Sequence, residues 1–295
     1  MRNARQLPVI MSLFISSLNS GSNGNCYYIG NDEEAVLIDA GISCREIEKR
    51  MKRLDLPLER VKAVFISHEH GDHITGVVSL SRKYQLPVYI TPPTLADSKL
   101  PLDMAVVRTF TTGEPVSVGK LSVTAFRKHH DAIDPHSFVI SSNNVQIGVF
   151  TDIGICCSEV KKYFSQCDAV FLESNYCDDM LERGRYPYHL KRRIKGGKGH
   201  LSNAEALELF CQHRGQQLKY LILSHLSNNN NDAALVNRLF TERSGDTNII
   251  VASRYNETAV FRVDPFTGIP TSTLTSRIEI FRTIDTRPVQ LTLFE

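Results

Sequence analysis

The run Ser67-His68-Glu69-His70-Gly71-Asp72-His73 constrains the fold of this chain most, because three of its ten histidines fall within six residues there. The segment before it, Val61 to Ile66, is apolar and β-branched, and Gly71 permits a sharp turn into Ile74-Thr75-Gly76-Val77-Val78-Ser79-Leu80. The motif therefore sits where a strand ends and a helix begins. Imidazole and carboxylate donors together suit zinc, manganese or iron. From an extended segment His68 and His70 point the same way and can grip one ion. Asp72 and His73, past the turn, are placed to grip a second.

Other donors follow the same rule. Ala35 to Ile38 is an apolar run ending in Asp39, and Leu121 to Phe126 leads into His129-His130-Asp131. Gln146 to Phe150 leads into Asp152, and Leu221 to Ser224 into His225. Each donor lies just past the C-terminal end of an apolar strand, the arrangement expected if several strand ends converge on one site. Helix signals alternate with these strands at 43–54, 74–84, 202–214 and 232–244. Ser43 with Glu46 and Ser202 with Glu205 have the spacing of capping boxes.

Between the last two donors lies a local concentration of charge. Residues 183–198 hold Arg183, Arg185, Lys191, Arg192, Arg193, Lys195 and Lys198 and no acid, in a chain whose net charge is only +2. A basic run is usually a solvated face. This one stands immediately before His200 and interleaves Tyr186 and Tyr188, the pattern of a phosphate-tracking groove with aromatic platforms for bases. Gly196, Gly197 and Gly199 would make its end mobile, as in a lid. His200 precedes a helix N-terminus, a favourable place for an anion.

The spacing H-x-H-x-D-H after a hydrophobic strand resembles the metallo-β-lactamase superfamily. Gly21 to Tyr27, Phe171 to Tyr176, Gly184 to Ile194 and Gly199 to Asn203 resemble the bacterial YycJ/WalJ-type exonuclease family, a likeness running from Met11 to about Val263. Tyr176 and Tyr188 depart from the residues common there, without touching an assigned metal ligand. The resemblance implies an α/β fold, the four-layer αββα sandwich, and two divalent metal ions, Zn²⁺ or Mn²⁺, with Fe²⁺ also admissible. It assigns His68, His70 and His130 to one ion, Asp72, His73 and His225 to the other, and Asp152 to both, with Asp39 supporting from behind. The family's His-Asp-Ala order favours His130, while His129 remains the alternative ligand.

An aspartate at 152, where lactam-cleaving relatives carry a thiolate, makes a harder site suited to phosphate oxygens. Two ions about 3.5–4 Å apart lower the pKa of a shared water and clamp an in-line displacement at phosphorus. The implied function is a phosphodiesterase, specifically a DNA exonuclease of repair or replication. In it a metal-bridging hydroxide attacks phosphorus, Asp72 orients or deprotonates that nucleophile, and His200 serves the leaving oxygen. Arg185, Tyr186, Lys191, Arg192, Arg193, Ser202 and Asn203 would contact nucleic acid. Alternative readings are an RNA-processing nuclease, a glyoxalase-like thioester hydrolase, and a non-catalytic DNA- or clamp-binding module. The short stretch between Asp152 and His200 leaves no room for the large inserted domain of β-CASP nucleases.

At 295 residues one two-layered domain with a sizeable core is expected. The expected division is an extension at 1–10, a hydrolase domain at 11–265 and a tail at 266–295. Within that tail Gln290, Leu291, Leu293 and Phe294 resemble the peptide by which bacterial replication proteins bind the DNA polymerase sliding clamp, which makes the clamp an expected partner. Seven cysteines without a C-x-x-C pair read as thiols of a reducing compartment. No apolar run is long enough to cross a bilayer, so the expected location is the cytoplasm.

Overall fold

A computed structural model describes residues 12–266, and the apolar runs that precede each donor form strands in it. One seven-stranded sheet contains β1 (Leu13–Asn19), β2 (Cys26–Gly30), β3 (Ala35–Ile38), β4 (Val61–Phe65), β5 (Val88–Tyr89), β6 (Val107–Arg108) and β14 (Phe261–Val263). Its order is β14-β1-β2-β3-β4-β5-β6. The second contains β7 (Pro115–Val118), β8 (Leu121–Arg127), β9 (His136–Ser142), β10 (Val145–Phe150), β11 (Ala169–Glu173), β12 (Tyr220–Ser224) and β13 (Asn248–Val251). Its order is β13-β12-β11-β10-β9-β8-β7. Residues 1–10, most of the 266–295 tail and the peptide at Gln290, Leu291, Leu293 and Phe294 lie outside the described residues.

Strands buried on both faces read as unbroken apolar runs, and the two-residue period assigns each side chain to a layer. Val36, Ile38 and Phe65 point between the sheets and meet Phe138, Ile147 and Phe171. Leu37, Val64 and Ile66 point outward onto α1 (Cys44–Arg53) and α3 (Val77–Tyr84), against Ile47, Met51 and Leu80. On the far side Val170, Leu172 and Leu223 meet Val160, Phe210 and Phe240 of α5 (Ser158–Phe164), α8 (Asn203–His213) and α9 (Ala233–Thr241). Helices thus cover both outer faces, giving the expected αββα sandwich. Phe171, whose ring lies 4.9 Å from that of Tyr27, couples the sheets. Truncating such a side chain costs about 3–5 kcal/mol.

The helix signals are largely realised. Ser202 completes its capping box with Glu205, and Asp232 caps α9 by accepting the Leu235 N–H. Ser43 accepts the Glu46 N–H, while the Glu46 carboxylate pairs with Lys49 and Arg50. The helix expected over 74–84 is interrupted, with α2 (Gly71–Ile74) ending before α3 begins. Gly76 causes the break: its N–H donates to Ala40 O at 2.7 Å, and a Cβ there would lie 2.1 Å from Ile42 O. The basic stretch folds into the end of α6 (Asp178–Arg183) and into α7 (Tyr188–Lys195). Between β9 and β10 the chain reverses at Asn143 and Asn144, both at positive φ, as a two-residue hairpin turn requires.

Candidate metal centre

Because β3 runs parallel to β4, and β10, β11 and β12 run parallel to one another, their C-terminal ends share one rim of the sandwich. The chain must turn off each strand abruptly there. Asp39, Asp152 and His225 do so in the left-handed region, at φ 60°, 55° and 57°. For non-glycine residues that conformation is costly, and it concentrates at sites where side chains are aimed by function. Gly41 brings the loop after β3 so close to the metal loop that a Cβ would lie 1.7 Å from Asp72 O. Asn25 ties the same loops, donating from its backbone N–H to Asp72 O at 2.7 Å and from Nδ2 to Asp72 Oδ2 at 3.2 Å.

All seven expected ligands meet at this rim. His68 Nε2 lies 3.1 Å from His70 Nδ1, and His130 Nε2 lies 3.4 Å from the same atom. Around the neighbouring point, His73 Nε2 is 3.6 Å from Asp72 Oδ2 and 3.2 Å from Asp152 Oδ2, and His225 Nε2 is 3.6 Å from Asp72 Oδ2. Asp152 also reaches the first set, with Oδ1 3.8 Å from His130 Nε2. Of the two candidates after β8, His130 is buried in the cluster and His129 is exposed.

Four of the five expected histidine ligands are held through the nitrogen turned away from the cluster. Asp39 Oδ2 accepts from His73 Nδ1 at 2.7 Å and from Ser67 Oγ at 2.8 Å. The Ser67 hydroxyl also lies 2.8 Å from His68 Nδ1. Gly199 O accepts from His130 Nδ1 at 3.0 Å. Glu173, completely buried, accepts at Oε1 from His225 Nδ1 at 2.8 Å and His200 Nδ1 at 2.9 Å. Its Oε2 takes the backbone N–H groups of Ile153 and Leu201. These acceptors set the tautomers of His68, His73, His130 and His225 and leave their Nε2 lone pairs facing the cluster, whereas His70 presents Nδ1.

The donor set fits cations. Asp152 Oδ2 and His225 Nε2 are buried without a hydrogen-bond partner. Ring nitrogens whose lone pairs converge repel one another unless a positive charge lies between them. Burial holds His68 well below the usual imidazole range and brings His130 to about 4, so both stay neutral as ligands must. Burial also disfavours charge on His73, yet Asp152, Asp39 and Asp72 outweigh it and lift this imidazole to about 10. For Asp152, burial is overcome by His225 and His73, which hold it well below the carboxylate range. Four carboxylates, those of Asp39, Asp72, Asp152 and Glu173, thus demand positive charge at one small centre.

A cavity of about 230 Å³ adjoins the cluster, lined among others by Asn175, Tyr186, Arg193, His200 and His225. Of the expected substrate contacts, Tyr186 and Arg193 line it, whereas Arg185, Lys191 and Arg192 do not. Nor is the basic segment acid-free in space. Arg193 Nε donates to Asp131 Oδ2 at 2.5 Å, Lys195 pairs with Glu182 at 3.3 Å, and Lys191 donates to Glu182 O. In place of the substrate contact expected of them, Ser202 and Asn203 are buried, Ser202 capping α8 and Asn203 bonded to Ser174 and Asn231. Glu173, Asn25 and Ser67 carry roles the sequence reading did not assign. Glu173 could have been found by the rule that found the others, since it ends the apolar strand β11.

Residues 34–225 match the model of the β-lactamase superfamily domain. The chain is 35% identical to exodeoxyribonuclease YycJ of Bacillus anthracis over 226 residues, 75% of this chain and 85% of that protein. It is 29% identical to exodeoxyribonuclease WalJ of Streptococcus pneumoniae over 260 residues, 86% of this chain and 96% of that protein. Among solved structures, the metallo-β-lactamase fold protein YhfI of Bacillus subtilis superposes with a TM-score of 0.67 at 16% identity, covering 85% of this chain and 99% of that one.

Proposed function

Since this chain belongs to the metallo-β-lactamase superfamily and is a hydrolase of that fold, we propose that it is a DNA exonuclease acting on phosphodiester bonds with two divalent metal ions. The observation that carries the reading is the seven-donor cluster opening onto a cavity lined by His200, Arg193 and Tyr186. His68, His70 and His130 would hold one ion, Asp72, His73 and His225 the other, with Asp152 serving both. When bound, such ions lower the pKa of water and neutralise phosphate oxygens.

The remaining chemistry falls to the protein's own side chains. Asp72 Oδ2, steadied by Asn25, is the acceptor for the proton of the attacking water. His200, whose Nδ1–H is taken by Glu173, would in its imidazolium form donate from Nε2 to the leaving oxygen. General acid–base help of this kind contributes about 10²–10⁴-fold. Arg193 and Tyr186 receive the phosphate and base beside the reacting bond. DNA is preferred to RNA because the relatives aligned over most of the chain are named exodeoxyribonucleases. A thioester hydrolase would have no use for Arg193 and Tyr186 at the cavity.

A role in repair or replication extends the same reading. Within it, residues 290–294 recruit the sliding clamp, a proposal that rests on sequence alone. Among the described residues no helix is long and apolar enough to cross a membrane. All seven cysteines are free thiols, which supports a reducing, cytoplasmic location. The deciding experiment incubates purified protein and Mn²⁺ or Zn²⁺ with end-labelled single- and double-stranded DNA, RNA and a thioester. Stepwise shortening of DNA supports the proposal, and cleavage of the thioester alone overturns it.

A further inference from the structure

We propose that Arg254 and Tyr255, in the loop after β13, form a second nucleic-acid contact that takes the single strand where it leaves the cavity. The inference rests on the nuclease reading above and adds to it two residues of the substrate path. The cavity is lined by Tyr186 and Arg193 from the basic segment, and also by Ser22 and Ser227. Arg254 reaches this latter part of the rim, where its Nη2 donates to Ser22 Oγ at 3.3 Å. Its main-chain carbonyl is fixed by Asn23 Nδ2 at 2.7 Å.

Two features set Arg254 apart from the basic segment. Arg193, Lys191 and Lys195 are already engaged by Asp131 and by the carbonyl and carboxylate of Glu182. The Arg254 guanidinium pairs with no carboxylate among the described residues, and its Nη1 is shielded from solvent without a hydrogen-bond partner. Nη1 therefore contributes uncompensated charge rather than an open donor, and Nη2, beside Ser22 on the cavity rim, is the atom turned toward an incoming phosphate.

Tyr255 provides the second half of the contact. Tyr255 is 67% exposed, and the Arg254 guanidinium lies 6.0 Å from its ring centroid. Its hydroxyl donates to Asn228 Oδ1 at 3.2 Å, Asn228 Nδ2 to Asn229 Oδ1 at 3.3 Å, and Asn229 Nδ2 to the Tyr186 hydroxyl at 3.0 Å. This chain of side chains fixes the exposed ring relative to the cavity-lining one. An exposed aromatic with a cation beside it is the pairing that stacks a base and holds its phosphate. The occupant is single-stranded nucleic acid, because bases stacked within a duplex offer Tyr255 no open face.

The test compares Arg254→Gln, Arg254→Lys and Tyr255→Leu with the wild type. Substrates are an end-labelled single-stranded oligonucleotide and bis(p-nitrophenyl) phosphate, a diester too small to span the rim. We expect the ratio of kcat/KM for oligonucleotide over small diester to fall about tenfold in Arg254→Gln and Tyr255→Leu. Arg254→Gln should also reduce the salt slope of oligonucleotide binding by about 0.7, which Arg254→Lys should retain. An unchanged ratio, or equal losses on both substrates, overturns the proposal while leaving a DNA-cleaving enzyme intact. A wild-type protein that hydrolyses the small diester but neither DNA nor RNA overturns the nuclease reading, and this contact with it.

Discussion

Glu173 holds His200 from the buried side, Oε1 to Nδ1 at 2.9 Å, and the same oxygen takes His225 Nδ1 at 2.8 Å. One carboxylate therefore fixes a proposed metal ligand and the proposed general acid together. Burial raises the cost of its charge, but His200 and His225 prevail and bring it to about 2, so it remains an acceptor throughout the working pH range.

Replacing Glu173 with Gln turns an NH₂ group toward donors, either the two histidines or the N–H groups of Ile153 and Leu201. We expect a 10–100-fold weakening of metal binding, the usual effect of losing a ligand's supporting partner. A fall in kcat should accompany it. Metal content by plasma emission and turnover of a small diester check both. Wild-type values for the two would remove Glu173 from the mechanism.

His70→Ala and Asp72→Ala each delete one donor from the rim without touching the three hydrophobic layers. Both variants should lose at least about 10³-fold in diester hydrolysis and keep a cooperative thermal transition. Circular dichroism with metal analysis separates loss of fold from loss of ion. Near-wild-type turnover with unchanged metal content would falsify the dinuclear assignment.

The triple variant Lys191→Ala, Arg192→Ala, Arg193→Ala tests how much of the basic segment is free to bind. Three independent phosphate contacts would lower the salt slope of DNA binding by about 2–2.7 in total. Lys191 and Arg193 already have protein partners, so we expect a reduction nearer about 1. Titrating labelled DNA at several salt concentrations decides between them. No change at all would make α7 a solvated face.

Asp168 gives a pH dependence unconnected with metal. It precedes β11, accepts the Gln146 N–H at Oδ2, and is pushed up to about 6 by burial from the 3.8 of an unperturbed aspartate. The folded state thus holds this proton more tightly than the unfolded chain. Its contribution to stability is full below about 3.8 and is lost as pH rises through about 6. Asp168→Asn keeps the acceptor and removes the charge. Its Tm should exceed wild type by roughly 2–4 °C at pH 7.5, the shift that about 1 kcal/mol produces in a domain of this size, and by much less at pH 4.5. Equal differences at both pH values would show that Asp168 titrates normally.

Deleting residues 290–295 should abolish clamp binding in calorimetry and spare cleavage of short free oligonucleotides. A tail that orders on binding gives modest affinity, and tethering raises local concentration without new catalytic contacts. Lack of binding by the full-length protein at tens of micromolar, or unfolding of the deletion variant, would refute recruitment.

The strand-end donors were legible because two constraints coincide at them: an apolar run long enough to form a strand, and a metal-type side chain immediately beyond it. The four layers came from resemblance, since a strand buried on both faces, such as Ala35–Ile38, shows no alternation from which to read its two neighbours. What escaped depends on distance in space. Residues 183–198 contain no acid, yet Asp131 reaches Arg193 from 62 positions away. Nothing local reveals that Ser174 and Asn231 satisfy Asn203 inside, whereas the capping-box spacing makes the Glu205 partner of Ser202 readable. Arg254 and Tyr255 gave no signal, being unremarkable until the fold carries them to the loop containing Ser22.

The hairpin at Asn143 and Asn144 has a practical use. Asp152 follows the C-terminal end of β10 and this turn precedes its start, so the six-residue strand lies between them, about 20 Å at the usual rise per residue. Its two residues are exposed and lie at a chain reversal, the kind of position that accepts inserted sequence. A fluorescent or affinity module placed there would report on or immobilise the enzyme from the rim opposite the donors, leaving the cavity open to long substrates.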